Sequence, residues 1–492
     1  MVFSSQIFLF YFLPFALIVY YGLAKAPQRW RNLSLALLGY IFYGWANPKF
    51  IILMFGTTFL DWTLSIVIAY SSWNFWRDWK APIDHPLEAN SPRTKTQRHA
   101  LAASVISNLL VLGFFKYFNF FLESYNGAVT DVGLGHYQWD TYFRVILPLG
   151  ISFYTFQSLS YIIDVYRGDA KAMRNFIDFS CFVSMFPHLV AGPILKFSFL
   201  ADQLEKRSLT MEKFARGSAF FMLGMGKKIL LANPCGKIAD LTFNAHSVHP
   251  LDAWFGAVNY AFQIFLDFSA YSDMAIGLGL MFGFVFARNF DAPYRSGSVT
   301  EFWRRWHISL STWLREYLYI PLGGNRKGNV RTYVNLMLTM ILGGFWHGAG
   351  WNFLIWGGLH GGALATERAL PANGWYWKLS KYIRGVFTFL VVLLAWVFFR
   401  ANDLPKAVSY ISTMFGFGGN TASATITPGL LYKPLYIGAF VLSAILVWLL
   451  PDTWEWTQVL TKRKVVACTA IFALAVVVLV TQEYNPFIYF KF

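Results

Sequence analysis

Long apolar runs separated by short polar stretches dominate the hydropathy pattern of the chain. The runs lie at 3–23, 32–46, 49–70, 100–122, 145–163, 214–232, 254–286, 333–366, 385–399, 432–450 and 465–481. The runs at 254–286 and 333–366 are too long for one crossing, so each is expected to hold two short helices or a helix and a re-entrant segment. Window length therefore predicts an all-α polytopic membrane protein with about 11 to 13 transmembrane or re-entrant helices.

The same pattern predicts the domain organisation. The longest polar stretches, 71–99 and 401–431, are no longer than loops, and the sequence contains neither an internal repeat nor a low-complexity segment. A single integral membrane domain over residues 1–492 is the simplest division. The first apolar run lacks the basic region and cleavage site of a secretory signal, so we interpret it as a retained first span.

The composition agrees with a membrane location. Of the 492 residues, 56% are hydrophobic and only 13% are charged, about half the charged fraction of a soluble domain. The 41 basic residues exceed the 25 acidic ones, which gives a net charge of +16. Since the bases lie between apolar runs, we expect contact with membrane lipid and no nucleic-acid binding. Cys181, Cys235 and Cys468 have no metal-ligand spacing, so no metal site is expected.

The basic loops predict the orientation in the membrane. Segment 288–331 has eight bases against three acids, and loop 71–99 contains Arg77, Lys80, Arg93, Lys95 and Arg98. Cytoplasmic loops are enriched in Lys and Arg, so both stretches are expected in the cytoplasm. Lys25, Arg29 and Arg31 follow the first apolar run, so the N-terminus is expected outside.

The apolar segment 176–195 does not fit this alternation. It has basic residues on both flanks and is interrupted by Pro187 and by Gly192-Pro193. Irregular backbone inside a membrane is tolerated where protein or a cavity surrounds it. We therefore interpret the segment as re-entrant, with both ends on the cytoplasmic side.

An amphipathic helix is predicted from residue 298 to the turn at Pro321. Ser298 and Glu301 match a capping box, and Gly323-Gly324 follow the turn. The apolar stripe consists of Phe302, Trp306, Leu310, Trp313 and Tyr317, and the other face carries Arg304, His307, Ser311 and Arg315. This pattern is typical of a helix at the membrane interface or at the mouth of a cavity.

Several polar residues in and near this region have two interpretations. Arg304 and Arg305 either contact lipid headgroups or bind an anionic ligand, because guanidinium pairs bidentately with phosphate. His307, on the polar face, is either solvated or part of a site. Asp267 and Asp273, inside an apolar run, are expected to pair with intramembrane bases or to cap a break in the helix.

His347 is the strongest catalytic candidate. It lies in the uncharged run 332–366, where a polar group is costly unless it has a partner. Ionisable residues in such runs are functional candidates, although a hydrogen bond to a neighbouring helix is the alternative. His360, thirteen residues later, lies among glycines and is interpreted as structural.

Two motifs carry a family resemblance. FWRRWHISLSTWLREYLYIPLGGN (302–325) and LTMILGGFWHGAGWNFLIWGGLHG (338–361) resemble the membrane-bound O-acyltransferase superfamily, in particular its bacterial polysaccharide branch and the members that O-acetylate alginate. Further similar stretches are MVFSSQIFLFYFLPF, ISFYTFQSLSYIIDVYRGDA, FPHLVAGPILKF, LDFSAYSDMAIGLGLMFGF and the terminal PFIYFKF. The resemblance implies an all-helical fold around a central funnel. It also implies that His347 is the family's invariant histidine and His307 its second common polar position.

The resemblance also implies a reaction. We expect an O-acetyltransferase of the bacterial inner membrane that moves acetyl groups from a cytosolic thioester, acetyl-CoA, to a secreted polysaccharide such as alginate. Periplasmic acetyltransferase proteins are the expected partners, and no bound cofactor is expected. Trp303, Trp346 and Asn352, with Arg304 and Arg305, are candidates for binding the substrate or donor.

Three alternatives remain open from the sequence. The same mechanism could acetylate cellulose or peptidoglycan. A transporter or export channel would use the histidines as proton relays. A scaffold would only assemble partner enzymes.

Overall fold

The computed structural model describes residues 1–79, 83, 85–89, 91–139, 142–371, 373–417 and 428–486. Within these ranges every regular element is helical and no strand occurs, which confirms the all-α class. Lys80 of the basic loop and residues 487–492 of the terminal motif lie outside the described residues.

Five helices within the described ranges are long and apolar enough to cross a membrane. They are Lys49–Tyr70, Lys95–Asp131, Pro250–Met281, Lys381–Arg400 and Lys462–Thr481. The segments Phe8–Gly22 and Pro434–Trp448 are shorter apolar helices. The protein is thus an integral membrane protein, while the total of 11 to 13 crossings or re-entrant helices stays a prediction.

The described chain forms two compact units. The first contains residues 1–210 and 282–284, and the second contains residues 211–281 and 285–492. The prediction of a single domain over residues 1–492 is not tested by this division.

The first unit is built from one series of helices. Its helices are Phe8–Phe12, Leu13–Gly22, Gln28–Gly44, Lys49–Tyr70, Phe75–Asp78, Lys95–Asp131, Gly135–Tyr137, Ile151–Arg167, Phe176–Ser184, Phe186–Leu189 and Phe197–Glu205. Helices Gln28–Gly44 and Phe176–Ser184 approach closely at Gly39, where an added Cβ would lie 1.9 Å from the carbonyl oxygen of Ser184. Only glycine allows this approach.

The segment predicted to be re-entrant forms two short helices in this unit. Phe176–Ser184 has nine residues and Phe186–Leu189 has four, with the break at Met185, two residues before Pro187. A crossing requires about 20 residues, so neither helix spans the hydrocarbon region. Its return to the starting side stays a prediction.

The second unit contains the motifs that carry the family resemblance. Its helices are Met211–Gly226, Lys227–Ala232, Asn233–Asn244, Pro250–Met281, Pro293–Arg295, Val299–Arg305, Ile308–Leu314, Arg315–Tyr319, Gly328–His347, Trp351–Ala369, Trp375–Lys378, Lys381–Arg400, Leu404–Met414, Pro428–Leu431, Pro434–Trp448, Thr453–Trp456 and Lys462–Thr481.

Helix Pro250–Met281 is continuous over 32 residues, so the expectation of two elements at 254–286 was wrong. The whole of its apolar window is buried inside the protein. Asp267 and Asp273 pair with lysines of helix Lys227–Ala232: Lys227 Nζ lies 2.5 Å from Asp273, and Lys228 Nζ lies 2.9 Å from Asp267. These pairs confirm the first of the two interpretations of the aspartates, and the helix needs no break to accommodate them.

The run 333–366 does form two helices, as expected from its length. Gly328–His347 and Trp351–Ala369 are separated by residues 348–350. An added Cβ on Gly344 would lie 2.3 Å from the Phe353 carbonyl oxygen, and one on Gly357 would lie 2.3 Å from that of Met340. The glycines therefore let the two helices cross at close range.

Candidate active site

His347 is the last residue of helix Gly328–His347. Its ring packs against Trp346, Trp356 and Phe399, with centroid distances of 4.8, 5.3 and 5.2 Å. The residue is only 8% exposed, and it lines a cavity of about 540 Å³. This imidazole thus lies in apolar surroundings with one side facing the cavity.

The cavity has an apolar wall with a few polar groups. Leu310, Leu314, Leu336, Met340, Trp356 and Leu364 supply much of the apolar surface, and Thr300, Ser311, Thr312, Asn325 and Thr339 contribute polar groups. A cavity of this size and composition is typical of small-molecule and cofactor sites.

Three arginines line the same cavity: Arg304, Arg315 and Arg368. All three are exposed, and Arg315 also pairs with its half-buried neighbour Glu316 at 3.2 Å. The three arginines belong to three different helices, so the packing of these helices brings three positive charges to the same cavity.

Arg305 has a different environment from its neighbour Arg304. Its guanidinium lies 3.0 Å from Glu301 and 3.6 Å from Asp291, and it is not among the residues that line the cavity. The two arginines, paired as candidates for anion binding, are therefore separated by the structure.

His307 does not lie on a polar helix face. The predicted single helix is broken at this residue into Val299–Arg305 and Ile308–Leu314, with His307 in the left-handed region at φ 44° and ψ 55°. Its ring is completely buried and packs against Phe268 and Phe290 at centroid distances of 4.6 and 6.4 Å. The solvated interpretation was wrong, because the break turns the side chain inward.

The electrostatics of His307 follow from this burial. The residue lies outside the five long apolar helices. Burial lowers the pKa of His307 to about 3, since a charged imidazolium would lose its hydration. The ring is therefore neutral at neutral pH. His307 is not among the cavity-lining residues, and Trp346 contacts both its ring, at 6.4 Å, and that of His347.

Comparison with known proteins places this site in a family. A sequence profile of the membrane-bound O-acyltransferase family matches residues 170–398, a segment that includes His307 and His347. The probable alginate O-acetylase AlgI of Pseudomonas putida is 44% identical over the full length of both chains. That of Pseudomonas aeruginosa is 48% identical over 85% of this chain and 75% of its own length. The peptidoglycan O-acetyltransferase of Helicobacter pylori is 35% identical over 85% of this chain and 80% of its own.

This chain belongs to the membrane-bound O-acyltransferase family. It is accordingly an O-acyltransferase, which sets aside the export-channel and scaffold alternatives. The two histidines of the family motif are both buried, but they have different surroundings: one faces the cavity and the other faces aromatic rings.

Trp303 contributes to the acyltransferase cavity in two ways. It lines the cavity, and its Nε1 donates a hydrogen bond to His360 Nδ1 over 3.3 Å. His360 is completely buried and also packs on Trp356, whose ring centroid is 4.8 Å away. His360 thus supports two tryptophans of the cavity wall and has no direct place on it.

Asn352 and Trp346 lie behind the wall. Asn352 Nδ2 donates to the carbonyl oxygens of Phe398 and Ala401, at 3.2 and 2.9 Å. These acceptors are at the C-terminal end of helix Lys381–Arg400, where carbonyls lack partners within the helix. The asparagine expected to bind substrate therefore holds two helices together, and neither it nor Trp346 lines the cavity.

Three residues of this region were missed by the sequence analysis. Arg368 reaches the cavity from the last turn of helix Trp351–Ala369. Both carboxylate oxygens of Glu367 accept hydrogen bonds from the first backbone N–H groups of helix Val299–Arg305, at Val299 (2.5 Å) and Thr300 (2.9 Å). Asn289 contacts His307, with 3.2 Å between Oδ1 and Nδ1. No local pattern marks these residues, because their partners are distant in sequence.

Proposed function

We propose that this acyltransferase moves acetyl groups from cytosolic acetyl-CoA across the bacterial inner membrane for the O-acetylation of a secreted polysaccharide, alginate. The observation that carries the proposal is the position of His347 on the wall of a cavity that three arginines share. The relatives described as alginate O-acetylases, 44% and 48% identical, support the choice of polymer.

The chemistry requires a base next to the acceptor. A hydroxyl oxygen attacks the thioester carbonyl carbon, its proton passes to the His347 imidazole, and the C–S bond breaks as the new C–O ester forms. The imidazolium then returns the proton to the leaving thiolate. A neutral imidazole suits this role near pH 7, and a positioned base contributes roughly 10²–10⁴-fold. His307 positions the acceptor or stabilises the developing oxyanion.

The donor is assigned from the charges of the cavity. Coenzyme A carries several phosphates, and guanidinium groups pair with phosphate through two parallel hydrogen bonds. Arg304, Arg315 and Arg368 line the cavity, which supports such a contact, whereas Arg305 pairs with carboxylates. We propose these three arginines as the site for the donor phosphates and the apolar wall as the contact of the pantetheine arm.

Passage across the membrane requires further proteins on the far side. We propose that periplasmic acetyltransferase proteins take over the acetyl group and deliver it to the polymer. This proposal is supported by the five helices of the described residues that are long and apolar enough to cross a membrane, and by the resemblance described above.

Two experiments test the proposal. Purified protein in lipid nanodiscs, supplied with radiolabelled acetyl-CoA, should release free coenzyme A and transfer label to an acceptor hydroxyl, and His347→Ala should not. A deletion strain should then lose O-acetyl groups from alginate. Loss from cellulose or peptidoglycan instead would replace the polymer and keep the reaction, and no transfer from acetyl-CoA by active protein would exclude this donor.

A further inference from the structure

Asn289 contacts three consecutive residues around His307. Its backbone carbonyl accepts from Ile308 N at 2.9 Å. Its side-chain Oδ1 accepts from Ser309 N at 3.3 Å and from Ser309 Oγ at 2.8 Å. The same oxygen is 3.2 Å from His307 Nδ1. Asn289 therefore contacts each of residues 307, 308 and 309.

The orientation of the Asn289 amide is determined by its other partner. Asn289 Nδ2 donates to Ser272 Oγ at 2.8 Å, and both residues are buried. The backbone N–H of Ser309 is always a donor, so the atom that faces it must be the amide oxygen. The side of Asn289 that faces His307 is thus an acceptor.

A second neighbour of His307 Nδ1 has the same polarity. Ser309 Oγ lies 3.3 Å from Nδ1 and uses its hydrogen on Asn289 Oδ1. It therefore presents lone pairs to the ring. Because both neighbours accept, Nδ1 must carry the hydrogen, and in a neutral imidazole Nε2 then has the lone pair.

His307 has two energetically unfavourable features, a strained backbone conformation and a buried ring nitrogen without a hydrogen-bond partner among the described residues. A non-glycine residue at φ 44° is strained. Asn289 stabilises this turn through two of its atoms, the backbone carbonyl oxygen and the side-chain Oδ1. His307 Nε2 is buried, and within the described part of the chain it has no hydrogen-bond partner. Strain and an unsatisfied polar atom at one residue are typical of functional positions.

We propose that Asn289 is a positioning residue that fixes His307 as the Nδ1–H tautomer, so that His307 acts in acyl transfer as a hydrogen-bond acceptor through Nε2. The inference rests on the proposed role of His307 in the reaction. It decides between the two roles given above: a ring without hydrogen at Nε2 does not donate to an oxyanion, and it can position the acceptor by accepting a hydrogen bond from a group other than the reacting hydroxyl, whose proton passes to His347.

The tautomer is measurable without turnover. Histidine labelled with ¹⁵N, in protein reconstituted in lipid, should show His307 with a protonated Nδ1 and an unprotonated Nε2, assigned by the signal lost in His307→Gln. Asn289→Leu should move the signal to the other tautomer or to a mixture, and Asn289→Asp should preserve it, because a carboxylate oxygen also accepts from Nδ1–H.

Activity provides the second measurement. We expect Asn289→Leu to lower kcat by roughly 10²-fold, the lower end of what a positioned acid or base contributes, with the KM for acetyl-CoA unchanged. Asn289→Asp should restore most of that loss. Asn335→Leu is the matched control, since Asn335 is also fully buried and its Nδ2 donates, among the residues that the structure describes, to the carbonyls of Leu322 and Gly324. It should affect yield without a selective loss of kcat.

Two results would overturn the inference. One is an Nε2-protonated His307 in the unmodified protein, and the other is a tautomer that does not change in Asn289→Leu. Failure of the proposed function has a separate signature, because the unmodified protein would then transfer no acetyl group while the tautomer signal was as expected.

Discussion

Trp303 donates a hydrogen bond from its indole Nε1 to Nδ1 of His360, over 3.3 Å. Because Nδ1 accepts, a neutral His360 carries its hydrogen on Nε2, the opposite tautomer to the one inferred for His307. His360 is completely buried among aromatic rings, whereas His347 reaches the cavity. The two histidines of the run 332–366 therefore have separate tasks, and their variants should differ.

His347→Ala should abolish acetyl transfer while the protein still inserts and folds. Removal of the base is expected to cost at least about 10²-fold in rate. The measurement is transfer of label from acetyl-CoA by purified protein, together with yield and thermal stability. An active, well-folded His347→Ala protein would remove this residue from the mechanism.

His360→Ala is the internal control for that experiment. It leaves the indole of Trp303 without an acceptor, which costs about 1–3 kcal/mol of stability. Lower yield and a lower melting temperature are expected, with a smaller effect on rate than in His347→Ala. A larger loss of rate in His360→Ala than in His347→Ala would make His360 the candidate base and His347 the structural residue.

Arg304→Ala combined with Arg368→Ala should raise the KM for acetyl-CoA more than it lowers kcat. This follows if the arginines supply binding that is equal in the ground state and in the transition state. Arg305→Ala is the matched control, because Arg305 is held by Glu301 and Asp291 and is not part of the cavity lining. A KM that does not respond to the double substitution would favour lipid headgroups as the partners of the cavity arginines.

Gly357→Ala should destabilise the helix pair that presents His347. The new Cβ would lie 2.3 Å from the Met340 carbonyl oxygen, so the backbones must move apart, at a cost of about 1–3 kcal/mol. Gly358→Ala is the control on the next residue, where no atom lies within 4 Å of the new Cβ. Thermal unfolding in detergent should separate the two, and equal melting temperatures would show that the crossing is not tight in solution.

The topology is tested by thiol labelling of intact cells. A cysteine at Lys95 should not react with a membrane-impermeant reagent, since Lys95 begins helix Lys95–Asp131 at the end of the basic stretch 71–99, which is predicted to be cytoplasmic. The native Cys181, Cys235 and Cys468 are buried, so background labelling should be low. Strong labelling at Lys95 from outside would reverse the orientation.

The segment 176–195 has its own test. Reporter tags near Arg174 and near Lys206 should both report the cytoplasm if the segment is re-entrant. Tags on opposite sides would mean that it crosses the membrane despite its short helices.

The sequence predicted the elements of this fold better than it predicted their breaks. The glycines near His347 correctly indicated two helices, because close helix approach has a visible requirement for small residues. The break at His307 left no such trace: aromatic residues continue at helical spacing across it, and Asn289, eighteen residues earlier, stabilises the turn. The opposite error occurred at Pro250–Met281, where ion pairs to Lys227 and Lys228 allow an unbroken helix.

The cavity was predicted in part for the same reason. His347 and Arg304 lie in recognisable motifs, so their chemistry could be inferred from residue type and neighbours. Arg368 and Glu367 acquire their places only through the packing of helix Trp351–Ala369. Asn352 lies within the motif and donates hydrogen bonds to the carbonyls at the end of helix Lys381–Arg400. Residue type alone does not distinguish this structural role from ligand binding.

The apolar window of helix Pro250–Met281 is enclosed by protein, which separates this part of the helix from the lipid. At 1.5 Å per residue its 32 residues extend over roughly 48 Å, well beyond the hydrocarbon thickness of about 30 Å. Protein atoms, however, surround its whole apolar window, whereas only 17% of the corresponding window is buried in helices Lys95–Asp131 and Lys462–Thr481. A thicker or thinner bilayer therefore acts first on those peripheral helices, through tilt or local lipid deformation. The apolar window of helix Pro250–Met281 is surrounded by protein atoms, so its environment should stay the same in membranes of different lipid composition.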